Sequence, residues 1–112
     1  MTEFKIRFSK TKKPYPIIEF ADSSYSPIGA FLLAERPIIS EIINTLISQT
    51  EENEISGNVY TLTVNGESST ITNDIEETDL TFPTSELTKI AQAYKTALTA
   101  AKSKKRSEPK EN

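Results

Sequence analysis

The chain has 112 residues, a formal net charge of -3 at pH 7, three glycines, and neither cysteine nor histidine. This length allows one domain with a single core. Without cysteine or histidine the chain has no disulfide framework, thiolate zinc site or histidine-assisted nucleophile, and its three scattered glycines form neither a phosphate-binding loop nor a dinucleotide fingerprint.

The charge is unevenly distributed along the chain. Residues 1–13 carry five basic residues and one acidic residue, and residues 81–112 carry seven basic and three acidic residues. Residues 48–80 carry eight acidic residues and no basic residue. Such blocks bear on partners and association rates rather than on fold.

The first third of the chain is predicted to form strands. "TEFKIRFS" alternates Phe4, Ile6 and Phe8 with polar residues, which is typical of a half-buried antiparallel strand. "IIEFA" is predicted as a second short strand, and "DSSYSP" as a loop. The apolar run from Ile28 to Glu35 is predicted as a central strand buried on both faces, although periodicity alone does not separate such a run from a helix.

A helix is predicted to begin at Pro37, because proline suits the first helical turn, where its missing N–H would have no partner. The apolar residues that follow recur with the spacing of one helical face: Ile38, Ile39, Ile42, Ile43, Leu46 and Ile47. The stretch "SQTEENEISGN" is predicted to end this helix and to form an exposed acidic loop.

A β-hairpin is predicted next. Asn65 and Gly66 form the favoured pair for a two-residue type I′ turn. That register places Val64 opposite Glu67, Leu62 opposite Ser69 and Tyr60 opposite Ile71. One face of the hairpin is then apolar and the other is rich in threonine.

The last part of the chain is predicted to contain a short strand, "LTF", and a helix capped by Thr84 with Glu86 in its first turn. The helix has a continuous apolar stripe: Leu87, Ile90, Ala91, Tyr94, Leu98 and Ala101. Residues 103–112 contain no aliphatic or aromatic residue and are predicted as a disordered charged tail. The predicted fold is a single α+β domain, residues 1–102, with a mostly antiparallel β-sheet of four to six strands packed by two α-helices.

The acidic residues offer little for catalysis. Asp74, Glu76, Glu77 and Asp79 supply the oxygen ligands that calcium prefers, but their spacing does not follow an EF-hand loop and the turn glycine is missing. Nothing in the pattern indicates a cleft for a two-carboxylate hydrolase. We therefore expect no enzymatic activity, no metal and no cofactor.

The acidic block has two interpretations. It is either a solvated edge of the fold or a docking patch for a basic protein, whose complementary charge would speed association. Under the second interpretation the partner-binding residues are predicted to be Glu51, Glu52, Glu54, Asp74, Glu76, Glu77, Asp79 and Tyr25. Tyr25 is included because it lies between serines in a predicted loop and is therefore predicted to be an exposed aromatic, whereas Tyr60 is predicted to belong to the core.

The basic ends of the chain also have two interpretations. The N-terminal arm (Lys5, Arg7, Lys10, Lys12 and Lys13) and the tail (Lys104, Lys105, Arg106 and Lys110) are either solvated surface or a contact for nucleic-acid phosphates. The acidic block and the sequence pI of about 5.0 argue against nucleic acid, because the same backbone would be repelled.

Three stretches resemble a known family. The hairpin "GNVYTLTV", the return strand "TITND" and the helix start "TSELTKI" are similar to those of the immunity proteins of bacterial contact-dependent growth inhibition and related polymorphic toxin systems. The resemblance covers roughly residues 38 to 98. It implies a cytoplasmic protein that binds the toxic C-terminal domain of a matching effector, often a basic nuclease such as a tRNase, and blocks its active site. The family has no shared catalytic or contact motif, so the resemblance assigns no site residue.

The sequence therefore predicts a non-enzymatic immunity or inhibitor protein, a monomer or weak dimer with no direct contact to nucleic acid or membrane. No signal peptide or membrane span is predicted, so the expected location is the cytoplasm. The alternative is a small nucleic-acid-associated or phage or plasmid accessory protein that uses its basic arm and tail. A secretion-type chaperone is a third candidate, which would need an exposed apolar groove.

Overall fold

The computed structural model describes residues 2–48 and 52–107, with residues 103–107 described by their backbone alone. The strands are β1 (Phe4–Phe8), β2 (Pro16–Phe20), β3 (Asn53–Ser56), β4 (Tyr60–Asn65), β5 (Ser68–Asn73) and β6 (Thr78–Pro83). The α-helices are α1 (Ser26–Ala34), α2 (Ile39–Ser48) and α3 (Thr84–Ser107). Two single turns of 3₁₀-helix, Ser23–Tyr25 and Arg36–Ile38, precede α1 and α2.

The predicted α+β class is confirmed. All strand pairs are antiparallel, but they form two sheets: a hairpin of β1 and β2, and a four-stranded sheet in the order β3-β4-β5-β6. The described residues form three α-helices instead of the two predicted, and α1 and α3 contact both sheets. The helices therefore join the two sheets around one core.

The prediction of a strand from Ile28 to Glu35 is wrong, because this segment is helix α1. Pro27 lies in its first turn, and Ile28, Phe31 and Leu32 are buried at the spacing of one helical face. Their neighbours are apolar too, which removes the contrast between faces that would have marked a helix in the sequence. The helix packs closely on β2, because Gly29 leaves room for the main-chain oxygen of Ile18.

The acidic loop predicted between the helix that is now α2 and the hairpin of β4 and β5 is in part strand β3, which pairs Ile55 with Leu62 of β4. The hairpin itself has another register: Val64 lies opposite Ser69, Leu62 opposite Ile71 and Tyr60 opposite Asn73. The shift is two residues, so each side chain keeps its predicted face, and Tyr60, Leu62, Val64 and Ile71 are buried together.

The turn of this hairpin explains the shift. Gly66 has φ +63°, whereas Asn65 has no positive φ and pairs with Ser68 as the last residue of β4. Positive φ at the first central position alone is typical of a type II′ turn, in which Gly66 and Glu67 are the central residues.

Helix α3 buries the predicted stripe and is anchored to β2. The hydroxyl of Tyr94 donates a hydrogen bond to the main-chain oxygen of Pro16 at 2.9 Å. The hydroxyl of Thr84, at the other end, is hydrogen-bonded to that of Ser69 at 2.7 Å inside the core. The helix continues to Ser107, five residues into the segment predicted as a tail. The rest of that segment lies outside the described residues.

Tyr94 should make stability fall at high pH. Burial raises the pKa of its phenol to about 12 from its ordinary value near 10. The unfolded chain loses this proton first as the pH rises, so stability is retained below about pH 10 and falls between about pH 10 and 12. In Tyr94→Phe we expect that part of the decline to vanish, together with a loss of about 1 kcal/mol at neutral pH from the missing hydrogen bond. Urea unfolding of both proteins across this pH range provides the test, and parallel pH profiles would contradict the assignment.

Candidate functional site

The outward face of the four-stranded sheet is polar across its width. Neighbouring side chains form two rows, Glu54-Thr63-Thr70-Thr81 and Ser56-Thr61-Thr72-Asp79. Apolar residues alternate with these along each strand and face the helices, as in a sheet covered on one side. Hydroxyl pairs link the strands, at 3.1 Å between Ser56 and Thr61 and 3.1 Å between Thr70 and Thr81. The face thus presents hydroxyls and carboxylates without a basic residue in either row.

The turn between β5 and β6 is fixed by its own backbone. The side-chain oxygen of Asn73 accepts hydrogen bonds from the N–H groups of Ile75 and Glu76, each at 3.0 Å. The N–H of Asp74 donates to the main-chain oxygen of Val59 at 2.8 Å, which ties the turn to the start of β4. Glu77 has φ +58°, a left-handed conformation that costs about 1 kcal/mol in a residue other than glycine. The surrounding hydrogen bonds offset that cost and hold a single turn conformation.

Ile75 lies at the tip of this turn and is 74% exposed. Asp74, Glu76 and Glu77 beside it are exposed as well. The turn therefore presents an aliphatic side chain surrounded by carboxylates. The acidic residues were predicted from the sequence but Ile75 was not; its signal was an isolated isoleucine within "NDIEETD".

Four of the predicted site residues come together at this turn. Asp74 accepts a hydrogen bond from the Thr61 hydroxyl at 2.9 Å, and Asp79 accepts one from Thr72 at 2.8 Å. These two carboxylates therefore also hold the outward face together, whereas Glu76 and Glu77 are exposed at the turn itself. The ion pair found among the described side chains, those of residues 2–48 and 52–102, joins Arg7 to Glu19 at 2.7 Å and does not involve the acidic turn.

The other predicted acidic residues do not join this cluster. Glu54 lies on β3 and Glu52 lies just before that strand, at the opposite edge of the sheet from β6. Three strand spacings separate the two edges, about 14 Å. Glu51 lies outside the described residues. The acidic block is thus divided between a turn and a distant edge.

The prediction that Tyr25 is an exposed aromatic is wrong. Its ring is half-buried between Phe20 and Phe82, with centroid distances of 6.2 and 5.0 Å and edge-on geometry to both. Such contacts contribute to packing where the hairpin of β1 and β2 meets the four-stranded sheet. Its serine neighbours indicated a loop but carried no information about the rings on the other elements.

A buried carboxylate was not anticipated from the sequence. Glu35, 2% exposed at the end of α1, accepts hydrogen bonds from the main-chain N–H groups of Asn58, Val59 and Tyr60 at 2.9, 2.8 and 3.0 Å. Gly57 lies against the same carboxylate, where any Cβ would overlap it. This contact closes the turn between β3 and β4, next to the strand end that carries the acidic turn. Glu35 therefore holds the β3–β4 turn in position.

Within the described part of the chain, no group of three or more acidic residues is arranged to hold a metal ion. None of the described helices has the length and apolar character needed to cross a membrane. Comparison with protein-family models, with curated proteins and with solved structures found no match to this chain.

Proposed function

We propose that this protein is a non-catalytic inhibitor of the immunity type, which acts in the cytoplasm by binding a basic protein toxin and blocking its active site. The observation that carries the proposal is the β5–β6 turn, where the exposed Ile75 lies among Asp74, Glu76 and Glu77. A single aliphatic anchor with charged neighbours resembles the small cluster of residues that supplies most of the energy in protein interfaces.

The rigidity of the turn favours tight binding. The hydrogen bonds that Asn73 accepts and the one that the Asp74 N–H donates fix the backbone before a partner arrives, so little conformational entropy is lost on association. Exposed carboxylates beside the anchor attract a positively charged partner and raise its association rate. A nuclease holds phosphates with lysine and arginine, so carboxylates can occupy the same groups and exclude the substrate.

The decisive test uses the neighbouring gene. An immunity protein is expected next to an open reading frame for a very large secreted protein that ends in a variable toxin domain. Expression of that C-terminal domain alone should stop bacterial growth, and co-expression of this protein should restore it. A toxin domain that remains lethal in the presence of this protein would contradict the proposal.

A change at the anchor should weaken the complex. In Ile75→Ser we expect the dissociation constant of the complex with the neutralised toxin domain to rise by about tenfold to a hundredfold. This change corresponds to the loss of one isoleucine side chain buried in the interface. Isothermal titration calorimetry measures this change. Thermal unfolding should be unaltered, because the side chain is exposed in the free protein.

Ile47 provides the matched control. It is 56% exposed on α2, near the start of β3, where Asn53 donates a hydrogen bond to the Ser48 hydroxyl. The β5–β6 turn lies at the other end of the strands, so Ile47→Ser should bind as the wild type does. Equal weakening by both substitutions would show that the anchor is not at the turn.

The alternative of nucleic-acid binding draws support from a separate surface. Lys10, Lys12 and Lys13 are exposed in the turn between β1 and β2, and Lys89 and Lys95 are exposed along α3. Retardation of RNA or DNA by this protein alone at physiological salt would favour that function over inhibition. Absence of retardation, together with growth rescue, is the result expected from the proposed function.

A further inference from the structure

A groove of about 400 Å³ lies beside the acidic turn, between the first turn of α1 and strands β5 and β6. Pro27 and Ala30 of α1 and Leu80 of β6 contribute an apolar lining, and Glu76 lies at the same groove. Asp79 borders the groove as well, but its carboxylate is hydrogen-bonded to Thr72 on the outward face of the sheet. None of the described lysine or arginine residues lines it. The groove therefore combines apolar surface with negative charge.

Helix α1 gives this groove an unusual wall. Its residues, Ser26–Ala34, include no charged side chain, and Pro27 and Ala30 are exposed. A helix that is apolar on all sides is normally covered on all sides. Ala30 also borders a second groove of about 770 Å³ between α1 and β2, so α1 forms an apolar ridge between two concave surfaces. This ridge is continuous with the acidic turn through Glu76.

We propose that the groove between α1 and β6 receives an arginine side chain of the partner protein. The three-carbon stem would lie against Pro27, Ala30 and Leu80, and the guanidinium would face the carboxylate of Glu76 at the turn. Long basic side chains bury their stems on apolar surface in this way while the charged head meets a carboxylate. Arginine suits the site better than lysine, because its planar head is less strongly hydrated and can engage a carboxylate through two hydrogen bonds.

This inference rests on the proposed function and identifies the basic group that the inhibitor would capture. The groove shares Glu76 with the turn that carries Ile75. An anchor at Ile75 and an arginine in the groove would therefore fall within one interface of ordinary size, about 800 Å² on each partner. Together they would fix the orientation of the toxin on the inhibitor.

A peptide titration tests the groove without the toxin. The probes are acetyl-Gly-Arg-Gly-amide and the same peptide with citrulline, which keeps the shape of arginine but is neutral. We expect the arginine peptide to produce saturable shifts in the NMR amide signals of Ala30, Thr78 and Leu80 in the full chain. The dissociation constant of the citrulline peptide should be about tenfold higher than that of the arginine peptide. Equal binding of both peptides, or shifts that miss these three amides, would overturn the proposal.

A groove-filling variant gives an independent result. Ala30→Arg places a guanidinium on the exposed side of α1 next to the groove and should abolish the peptide-induced shifts. Ala100→Arg, at an exposed position of α3, is the matched control and should leave them unchanged. Shifts that persist in Ala30→Arg would also overturn the proposal, and thermal unfolding of both variants verifies that they are folded.

The growth assay separates this proposal from the function on which it rests. If the wild type rescues growth and Ala30→Arg rescues it equally well, the groove is not used and the inhibitor function stands. If the wild type gives no rescue while the arginine peptide still binds selectively, the inhibitor function fails and the groove remains a site for a basic side chain.

Discussion

Replacing Glu35 with alanine is expected to lower the free energy of unfolding by about 3 kcal/mol. The substitution leaves the N–H groups of Asn58, Val59 and Tyr60 without their acceptor, and hydrogen bonds to a charged acceptor contribute about 1.5–3 kcal/mol each. The estimate lies well below three times that figure because Asn58 is exposed and water can replace one bond. A domain of this size is stable by only about 5–15 kcal/mol, so the loss is large.

Urea unfolding followed by circular dichroism measures this loss. Glu35→Gln is the matched control, because it keeps one carbonyl oxygen as acceptor and most of the side-chain volume. Its stability should lie between those of the wild type and the alanine variant. If the free energy of unfolding of the alanine variant lies within about 0.5 kcal/mol of the wild-type value, the range of ordinary surface substitutions, Glu35 does not hold the β3–β4 turn in position.

Replacing Gly57 with alanine is expected to destabilise the protein by a similar amount, about 3 kcal/mol, for a related reason. The φ of Gly57 is not positive, so alanine can adopt its backbone conformation. Its methyl group, however, would overlap Oε1 and Cδ of Glu35. The buried carboxylate can escape only by breaking its three hydrogen bonds to the β3–β4 turn.

The double variant distinguishes this mechanism from an ordinary cavity or backbone effect. If the methyl group acts by displacing the carboxylate, Gly57→Ala should cost little once Glu35 is already alanine. The double variant should then be about as stable as Glu35→Ala alone, with a coupling energy of about 3 kcal/mol, which is large for two residues in contact. Simple addition of the two single losses would show that Gly57 is required for some other reason.

Residues whose environment is local were predicted well from the sequence. The alternation of Phe4, Ile6 and Phe8 and the apolar stripe of α3 each place their side chains correctly, because one period defines one face. The buried and exposed faces of the β4–β5 hairpin were predicted correctly although its register was not, because a shift of two residues returns each side chain to the same side. Tyr60 is buried, as predicted.

The remaining differences come from contacts between elements that are distant in sequence. Leu62 of β4 provides the partner that makes Ile55 part of a strand, although "NEIS" is short and polar. Tyr25 is half-buried because Phe20 of β2 and Phe82 of β6 pack against its ring. A run such as "IGAFLLA" is compatible with both structures until its neighbours are known, and packing on β2 and the core then selects the helix.

The candidate site was predicted in composition but not in geometry. The sequence identified a block of acidic residues, and the fold brings four of them to the β5–β6 turn while it leaves Glu52 and Glu54 at the far edge. The two exposed features beside the carboxylates, Ile75 and the groove along α1, depend on where the chain turns and on which helix covers the sheet. The groove carries no sequence signal of its own, and the signal of Ile75 was only an isolated isoleucine in an acidic stretch.

The contact between Glu35 and Gly57 also has an evolutionary consequence. The two positions constrain each other: a buried acid at position 35 needs a glycine at position 57, and a side chain at position 57 needs the acid to be absent. Substitutions at the two positions should therefore be correlated among divergent descendants of this fold. An acidic residue just after a short apolar helix, followed by a glycine at the turn between two later strands, is a pair that can identify distant relatives when the exposed surface has diverged beyond recognition.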